Sequence, residues 1–319
     1  MRKISIQEKI LELGIKLPEN EEFWRVGDLT ALRKNVNGNF YRSNYHRGLL
    51  LYSLITAIKP RNVLEFGTGR GYGALSMARA ILDSNLDSHI YSIDFRLFDE
   101  TQAWPVDYGT GPKVDKTSLK QVWTKYFPSE LISKITLLNG TSETIIKDWH
   151  AKNLPAPDFA FIDGGHDYET VKHDFYGILK IADEKITILF DDYIDKPKFG
   201  ICKLVDEEID PIFKTDLITT FSNWHPVHKA NKIHSTSNMI IIDSSTAEAP
   251  LESLFDKIEI EYFLKAYRRK IRLQRKIRKI KSFIPPILYH PIKTVSGIIL
   301  RSKIVQSTIK PIWHWFKRK

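Results

Sequence analysis

The sequence contains a single cysteine and no long apolar run. Cys202 alone cannot form an intramolecular disulfide, which excludes the disulfide-rich class of small secreted proteins and fits a reducing compartment. No uncharged apolar stretch reaches the length of a membrane-spanning helix. The first ten residues are charged throughout and lack the apolar core of a signal peptide. We therefore expect a cytoplasmic protein.

The charge is distributed unevenly along the 319 residues. Residues 265–319 contain 17 Lys and Arg and no Asp or Glu. Residues 1–264 contain 31 Lys and Arg against 38 Asp and Glu, a net charge of −7. The overall charge of +10 therefore describes an acidic body with a strongly basic tail. With 42% hydrophobic residues, the body can bury a full core.

The basic tail, residues 265–319, has an amphipathic pattern. Apolar residues recur at helical spacing among Arg and Lys, at Leu273, Ile277, Ile280 and Ile284, and Pro285 ends the predicted helix. The last seven residues combine Trp313, Trp315 and Phe316 with three cations, as in segments that lie on anionic membrane surfaces. We favour a peripheral membrane contact. Phosphate contacts with nucleic acid, or packing on the body or on another subunit of a homo-oligomer, fit the same residues.

A glycine-rich motif follows the first predicted strand of the body. Residues 62–73 read Asn-Val-Leu-Glu-Phe-Gly-Thr-Gly-Arg-Gly-Tyr-Gly, and Ala74–Ile81 has a helix-forming composition. Glycine at every second position lets the backbone turn sharply and approach a ligand without intervening Cβ atoms. A strand, a glycine loop and a helix in this order predict a nucleotide-cofactor loop.

Glu65, the acid in front of this loop, helps to separate two cofactor classes. A dinucleotide would bring a negatively charged pyrophosphate to the loop, and a carboxylate opposes its binding. S-adenosylmethionine brings a sulfonium and an ammonium cation, which a carboxylate favours. We therefore favour S-adenosylmethionine over NAD, although the spacing of Gly69, Gly71 and Ala74 also fits the dinucleotide pattern G-x-G-x-x-A.

Apolar segments and helical segments alternate through the body. This alternation predicts an α/β, Rossmann-like fold with a seven-stranded, mostly parallel sheet and helices on both faces. We predict an N-terminal helical region at 1–61, a cofactor-binding domain at 62–250 and a basic extension at 251–319. Residues 96–118, marked by glycine and proline, are expected to be an irregular insertion. The predicted strands begin at Asn62, His89, Ile135, Asp158, Ile186, Leu217 and Met239.

Several acids fall at the carboxyl ends of the predicted strands, which meet at one edge of a parallel sheet. Asp94 is expected to accept hydrogen bonds from both ribose hydroxyls of the cofactor, although a turn role fits the residue too. Asp163, Asp191 and Asp192 would repel one another unless a cation intervened, which predicts a hard-oxygen site for Mg²⁺. His166 is a candidate general base. Helix capping and a local hydrogen bond are the simpler alternatives for Asp191–Asp192 and for His166.

Together these motifs resemble class I S-adenosylmethionine-dependent methyltransferases, in the branch of the macrolide sugar O-methyltransferases. The resemblance covers about Val63 to Val205. It is carried by the segments Glu65–Gly71, Asp94, Asn139–Glu143, Ile162–Tyr168, Asp191–Tyr193 and Gly200–Lys203.

The resemblance implies roles for individual residues. It implies that the methionine end of the cofactor is lined by Glu65, Gly67, Gly69 and Gly71. It places the ribose at Asp94 and the adenine side at Thr141 and Ser142. It also implies that Mg²⁺ is held by Asp163, Asp191 and Asp192, with His166 as the base.

The sequence thus predicts a Mg-assisted O-methyltransferase that acts on a hydroxyl of a sugar or glycan-like acceptor, with Asp163 and His166 at the reaction centre. Because the basic tail departs from the family, we expect a membrane-linked glycan or lipid-linked sugar rather than a small antibiotic. A non-catalytic Rossmann-like binding protein tethered to membrane or nucleic acid is the alternative from another class. An NAD-dependent oxidoreductase is a third interpretation.

Overall fold

The computed structural model describes residues 1–18, 21–42, 45–182, 185–196, 199–219 and 238–246. The amphipathic helix and membrane contact predicted for residues 265–319 lie outside these residues. Among the described residues, no helix is long and apolar enough to cross a membrane.

The described residues form strands and helices that alternate through most of the chain. The strands are β1 (Arg2–Ser5), β2 (Leu32–Lys34), β3 (Phe40–Arg42), β4 (Asn62–Phe66), β5 (His89–Asp94), β6 (Gln102–Asp107), β7 (Pro112–Thr117), β8 (Ile135–Asn139), β9 (Phe159–Ile162), β10 (Thr187–Tyr193), β11 (Thr215–Thr219) and β12 (Asn238–Asp243). The helices are α1 (Ile6–Glu12), α2 (Glu21–Thr30), α3 (Tyr45–Ile58), α4 (Tyr72–Asp83), α5 (Leu119–Tyr126), α6 (Ser129–Ser133), α7 (Ser142–Lys147), α8 (Tyr168–Ile181) and α9 (Ile201–Leu204). A π-helical turn, Val205–Ile209, continues α9, and a 3₁₀ turn, Ser244–Thr246, follows β12.

Eight of these strands form the central sheet, in the order β1-β11-β12-β10-β9-β4-β5-β8. Neighbouring strands run parallel except where β12 pairs antiparallel with β10 and β11. This confirms the predicted Rossmann-like α/β fold with a mostly parallel sheet.

The sheet has one strand more than the seven predicted. All seven predicted strands belong to it, and β1, from the region expected to be helical, is the eighth. β1 has only four residues, too few to show a strand periodicity in the sequence. Its position is fixed by parallel pairing with β11 and by Arg2, whose Nε donates to Asp216 Oδ1 at 2.8 Å.

The strand sequences are apolar on both faces because helices cover both sides of the sheet. Val63 and Phe161 belong to a core shared with α3 and α4. Leu64 and Ile162, their neighbours along the strands, belong to a second core shared with α7, α8 and α9. Alternate residues of one strand therefore point into different cores.

The N-terminal helices share a core with the helix that follows the glycine loop. Leu49 and Leu50 of α3 are fully buried in the cluster that also contains Leu75 of α4. Tyr72 Oη donates to the backbone oxygen of Tyr45. A Cβ on Gly48 would lie 2.4 Å from Tyr72 Oη, so glycine is needed for this close approach. The core is therefore continuous across the boundary predicted at residue 61.

The insertion at 96–118, expected to be irregular, contains regular secondary structure. Most of it is a hairpin in which β6 pairs antiparallel with β7, and Trp104 and Val106 are fully buried on one face. Gly109 and Gly111 adopt φ of +95° and +103° in the connecting turn, and both donate backbone hydrogen bonds to Asp107 Oδ1. Gly109 and Gly111, which suggested an irregular loop, mark a hairpin turn, while Pro105 lies within β6 and Pro112 begins β7.

We expect Leu50→Ala to lower the free energy of unfolding by about 2–5 kcal/mol, because the change leaves a cavity in the core shared by α3 and α4. The measurement is urea unfolding of the full chain. The control is Leu11→Ala, at a leucine that is 78% exposed, which should change stability by no more than about 0.5 kcal/mol. Equal effects of the two substitutions would contradict the shared core.

Candidate active site

The strand order reverses at β4, which places a crevice at the carboxyl ends of β4 and β9. From β4 the chain continues to β5 and β8 on one side and returns to β9 and β10 on the other. At the crevice, Asp163 N donates to Phe66 O and Gly67 N donates to Ile93 O, each at 2.9 Å. The glycine loop is thus joined to the ends of both neighbouring strands.

The three predicted cofactor glycines have different surroundings. A Cβ on Gly67, at φ +94°, would lie 2.2 Å from the Asp163 backbone oxygen. A Cβ on Gly71, at φ +88°, would lie 2.1 Å from the Trp123 ring. A Cβ on Gly69, at φ +57°, would meet no described atom within 4 Å. Gly67 and Gly71 are therefore required by packing, whereas Gly69 faces open space that a ligand could approach.

Asp94 holds the glycine loop in place. Gly69 N donates to its Oδ2 at 2.9 Å, and Arg96 N donates to its Oδ1 at 2.8 Å. The Asp94 backbone oxygen accepts from Gly140 N at 2.9 Å. Each carboxylate oxygen can accept a second hydrogen bond, so the predicted ribose contact is compatible with this arrangement.

Glu65 lies beneath the loop and is only 1% exposed. Its carboxylate accepts hydrogen bonds from Ser92 Oγ and from the Ala74 backbone N–H. Burial raises the pKa of Glu65 to about 7, against the lowering effects of the Ser92 hydrogen bond and the Arg47 charge. The predicted contact with the methionine end of a cofactor stays a prediction, since this carboxylate is enclosed by the protein.

Thr141 precedes α7 and Ser142 is its first residue, and the hydroxyls of both have partners in the protein. Thr141 Oγ1 accepts from Thr144 N at 3.3 Å and caps α7. Ser142 Oγ donates to Asp174 Oδ1 at 2.5 Å. Their predicted place on the adenine side stays a prediction.

The three acids predicted to bind a metal come together. Asp163, Asp191 and Asp192 each offer a carboxylate oxygen, and these atoms lie within 4.8 Å of one another. Consecutive residues of a strand normally point to opposite faces. Here the pairing of β10 with β12 shifts between Phe190 and Tyr193, and Asp192 has φ of +58°. This bulge accounts for the convergence of two adjacent carboxylates.

Arg47 of α3 supplies one positive charge to this cluster, a role that the sequence analysis missed. Its Nη1 contacts Asp163 Oδ2 at 2.8 Å and also contacts Asp191 Oδ2. Burial lowers the pKa of Arg47, but the two carboxylates outweigh burial and hold the pKa above its ordinary value. The sequence did offer one signal for this role, because the apolar helix α3 contains a single Arg. A buried Arg is usually paired with an acid.

Asp163 is the acid whose titration is most affected. Burial raises the pKa of Asp163 well above its ordinary value, Arg47 lowers it, and the charges of Asp191 and Asp192 raise it further. The positive charge of Arg47 is therefore shared among the carboxylates of the cluster, and Asp163 does not titrate independently of its neighbours.

His166 lies beside the acid cluster. Its Nδ1 is 3.4 Å from Asp192 Oδ2, and its side chain is 41% exposed, so a ligand can reach the ring. The ring stacks on Phe199 with centroids 5.1 Å apart. Gly200 N donates to His166 O at 2.7 Å, which fixes the backbone. The imidazole is therefore next to a carboxylate, and the role of His166 as general base stays a prediction.

Comparison with known proteins identifies the part of the chain that contains this crevice. Residues 64–193 match a family model described as a methyltransferase domain. This segment is therefore similar to methyltransferases. It spans β4 to β10 and includes the glycine loop, the acid cluster and His166. No curated protein matches the chain.

Two solved structures similar to the chain are O-methyltransferases. TomG from Streptomyces achromogenes, in complex with SAM, has 14% identity and a TM-score of 0.45, over 74% of this chain and 95% of that one. An O-methyltransferase from Bacillus cereus, in complex with SAH, has 14% identity and a TM-score of 0.46, over 75% of this chain and 97% of that one.

We expect the free energy of unfolding to fall as the pH rises from about 4.5 to about 7, because of the raised pKa of Glu65. The unfolded chain releases this proton near 4.5, whereas the folded protein keeps it to about 7. Folding therefore binds a proton in this window, and stability falls by an amount on the order of 3 kcal/mol. Glu65→Gln should remove this component, measured by urea unfolding at several pH values. If the difference in free energy of unfolding between wild type and variant did not change with pH, this would contradict the raised pKa of Glu65.

Proposed function

We propose that this chain is an S-adenosylmethionine-dependent O-methyltransferase acting on a hydroxyl of a sugar or glycan-like acceptor. The observation that carries the proposal is the placement of His166 and three carboxylates beside the glycine loop at one sheet edge. A cofactor-binding loop alone would serve many reactions. A histidine oriented by a carboxylate in the same crevice adds the means to deprotonate a hydroxyl.

The loop and the residues around it fit the proposed methyl donor. Gly69 leaves open space at the loop, and Asp94 has free lone pairs for ribose hydroxyls. When it is ionised, the buried carboxylate of Glu65 favours cationic over anionic groups nearby. When bound, the donor supplies a methyl group on a positively charged sulfur.

The chain's own residues then handle the proton of the acceptor. His166 takes the hydroxyl proton as the acceptor oxygen forms its bond to the methyl carbon, while the electron pair of the broken carbon–sulfur bond stays on sulfur. Asp192 orients the imidazole and stabilises its positive charge. The crevice walls hold the acceptor in line, which supplies the orientation component of catalysis.

The acid cluster fits a divalent cation by its donor set, because three carboxylate oxygens within 4.8 Å of one another can surround one hard ion. Asp163, Asp191 and Asp192 would hold it, and it would lower the pKa of an acceptor hydroxyl. Arg47 Nη1 contacts Asp163 and Asp191 and already supplies positive charge at this position. We propose that the guanidinium and the cation compete for the same carboxylates.

Our proposal for the acceptor rests on the sequence and not on the geometry of the crevice. The family resemblance suggests a sugar, and the basic residues 265–319 favour one presented on a membrane. Both stay proposals, since those residues lie outside the part of the chain that the structure describes.

We expect His166→Ala to lower methyl transfer by about 100-fold or more, because the acceptor proton loses its base. S-adenosylhomocysteine affinity should be unchanged, because His166 acts on the acceptor. The measurement is S-adenosylhomocysteine release with a panel of sugar acceptors, paired with calorimetric cofactor binding. His150→Ala, at an exposed histidine outside the crevice, is the matched control. Full turnover by the His166 variant would rule out its role as base.

We expect Arg47→Met to raise the affinity for Mn²⁺ about tenfold or more, since the variant frees two carboxylates for the ion. Without metal the variant should lose about 3–5 kcal/mol of stability, because Asp163 and Asp191 lose their ion pairs with Arg47. Calorimetry and Mn²⁺-dependent thermal unfolding measure both effects. Arg79→Met, which breaks a pair with Asp83 instead, is the control. Identical Mn²⁺ affinity in wild type and the Arg47 variant would show that the two cations do not compete.

A further inference from the structure

Three arginines beside the glycine loop have no carboxylate partner among the described residues: Arg33, Arg70 and Arg96. Arg70 is satisfied in another way. Its guanidinium donates to Pro105 O at 2.7 Å and to Leu32 O, and it lies over the Trp104 ring. It therefore anchors the loop to the β6–β7 hairpin and to β2. The other two arginines have more donors than acceptors.

Arg33 lies next to this anchor. Its Nη1 donates to Leu32 O at 3.2 Å, the same oxygen that accepts from Arg70. Two guanidinium groups therefore meet at one carbonyl, an unfavourable arrangement unless an anion is nearby. Arg33 is half-buried, and its other N–H groups have no hydrogen-bond acceptor among the described residues.

The electrostatics of Arg33 agree with its geometry. Burial lowers the pKa of Arg33, and the charges of Arg47 and Arg96 lower it further, while Asp163 and Tyr41 act in the opposite direction. Asp163 is within electrostatic reach but is already paired with Arg47 at 2.8 Å. The positive charge of Arg33 is thus partly desolvated without an ion pair of its own.

Arg96 lies close enough to Arg33 for the two positive charges to interact. It follows Asp94 closely, and its backbone N–H donates to Asp94 Oδ1 while its backbone oxygen accepts from Asn139 Nδ2 at 2.7 Å. The backbone is therefore fixed at the end of β5. The side chain is exposed and lies over the Phe95 ring at 5.7 Å.

We propose that Arg33 and Arg96 form a subsite for an anionic group, a phosphate or a carboxylate, of a molecule bound in the crevice. The inference rests on the proposed function, because it concerns the ligands of the same crevice. Guanidinium groups bind both kinds of anion through paired hydrogen bonds. Two molecules could bring the anion: an acceptor with a phosphate or pyrophosphate, or the methyl donor with its amino-acid carboxylate.

Calorimetry with three probes distinguishes these sources. The probes are inorganic pyrophosphate, S-adenosylhomocysteine and 5′-methylthioadenosine, which lacks the amino-acid group, all in the presence of a metal chelator. The variants of the full chain are Arg33→Gln and Arg96→Gln. The matched control is Lys34→Gln, which removes the same charge from the neighbouring residue, an exposed Lys packed on Phe40. Arg33→Lys should retain part of the affinity.

If the anion belongs to the acceptor, we expect wild type with bound S-adenosylhomocysteine to bind pyrophosphate. Arg33→Gln should then weaken pyrophosphate binding about tenfold or more. If the anion is the donor's carboxylate, we expect Arg33→Gln to weaken the binding of S-adenosylhomocysteine by a similar factor. The binding of 5′-methylthioadenosine should be unchanged. In both cases Arg96→Gln acts in the same direction, and because Arg96 is exposed this variant should keep its fold. Lys34→Gln should change nothing.

The proposal is overturned if Arg33→Gln affects neither pyrophosphate nor S-adenosylhomocysteine more than Lys34→Gln does. In that case wild-type binding of S-adenosylhomocysteine would leave the proposed function standing. Failure of the wild type to bind S-adenosylhomocysteine at all would instead count against the proposed function itself.

Discussion

The crevice depends on the ion pairs between Arg47 and the carboxylates at the ends of β9 and β10. Asp191 is 1% exposed and Asp163 is also largely enclosed, so their charges would repel each other strongly without a cation between them. Arg47 reaches them from α3, which also packs against α4 behind the glycine loop. A helix from outside the matched methyltransferase domain therefore supplies the charge that lets the acids converge within it.

Charges of both signs lie around the glycine loop. Asp163, Asp191, Asp192 and His166 lie at the ends of β9 and β10. Arg33 belongs to β2, and Arg96 follows the end of β5. We expect charges of both signs to orient a ligand that carries both, or a cationic donor next to an anionic acceptor. In the proposed subsite, the N-terminal region contributes Arg33, and the Arg70 anchor joins β2 to the β6–β7 hairpin.

Much of this arrangement could be predicted from the sequence. The central strands are apolar, long enough and separated by helical segments, so seven of the eight strands and their mostly parallel arrangement follow from the pattern. The acids could be assigned to one edge because parallel strands share their carboxyl ends. β1 was missed because four residues show no periodicity. The hairpin at 102–117 was missed because glycine marks loops and hairpin turns alike.

The finer features of the site depend on tertiary structure. No pattern in the sequence reveals the left-handed conformation of Asp192, because the bulge exists only relative to β12. The Arg47 pairs join residues 116 and 144 positions apart in the sequence. The sequence does not distinguish Gly67 from other loop glycines. In the structure, a Cβ added to Gly67 would lie 2.2 Å from the Asp163 backbone oxygen. Sequence spacing gives the candidates, and packing decides which groups meet.

The most direct test of the central claim is calorimetric titration of the purified protein with S-adenosylhomocysteine, with NADH as the control, each with Mg²⁺ and with chelator. The account predicts micromolar binding of S-adenosylhomocysteine and no binding of NADH. Binding of NADH, or no binding of S-adenosylhomocysteine, would contradict the assignment of the donor. A dependence on Mg²⁺ would show in addition whether the metal contributes to cofactor binding.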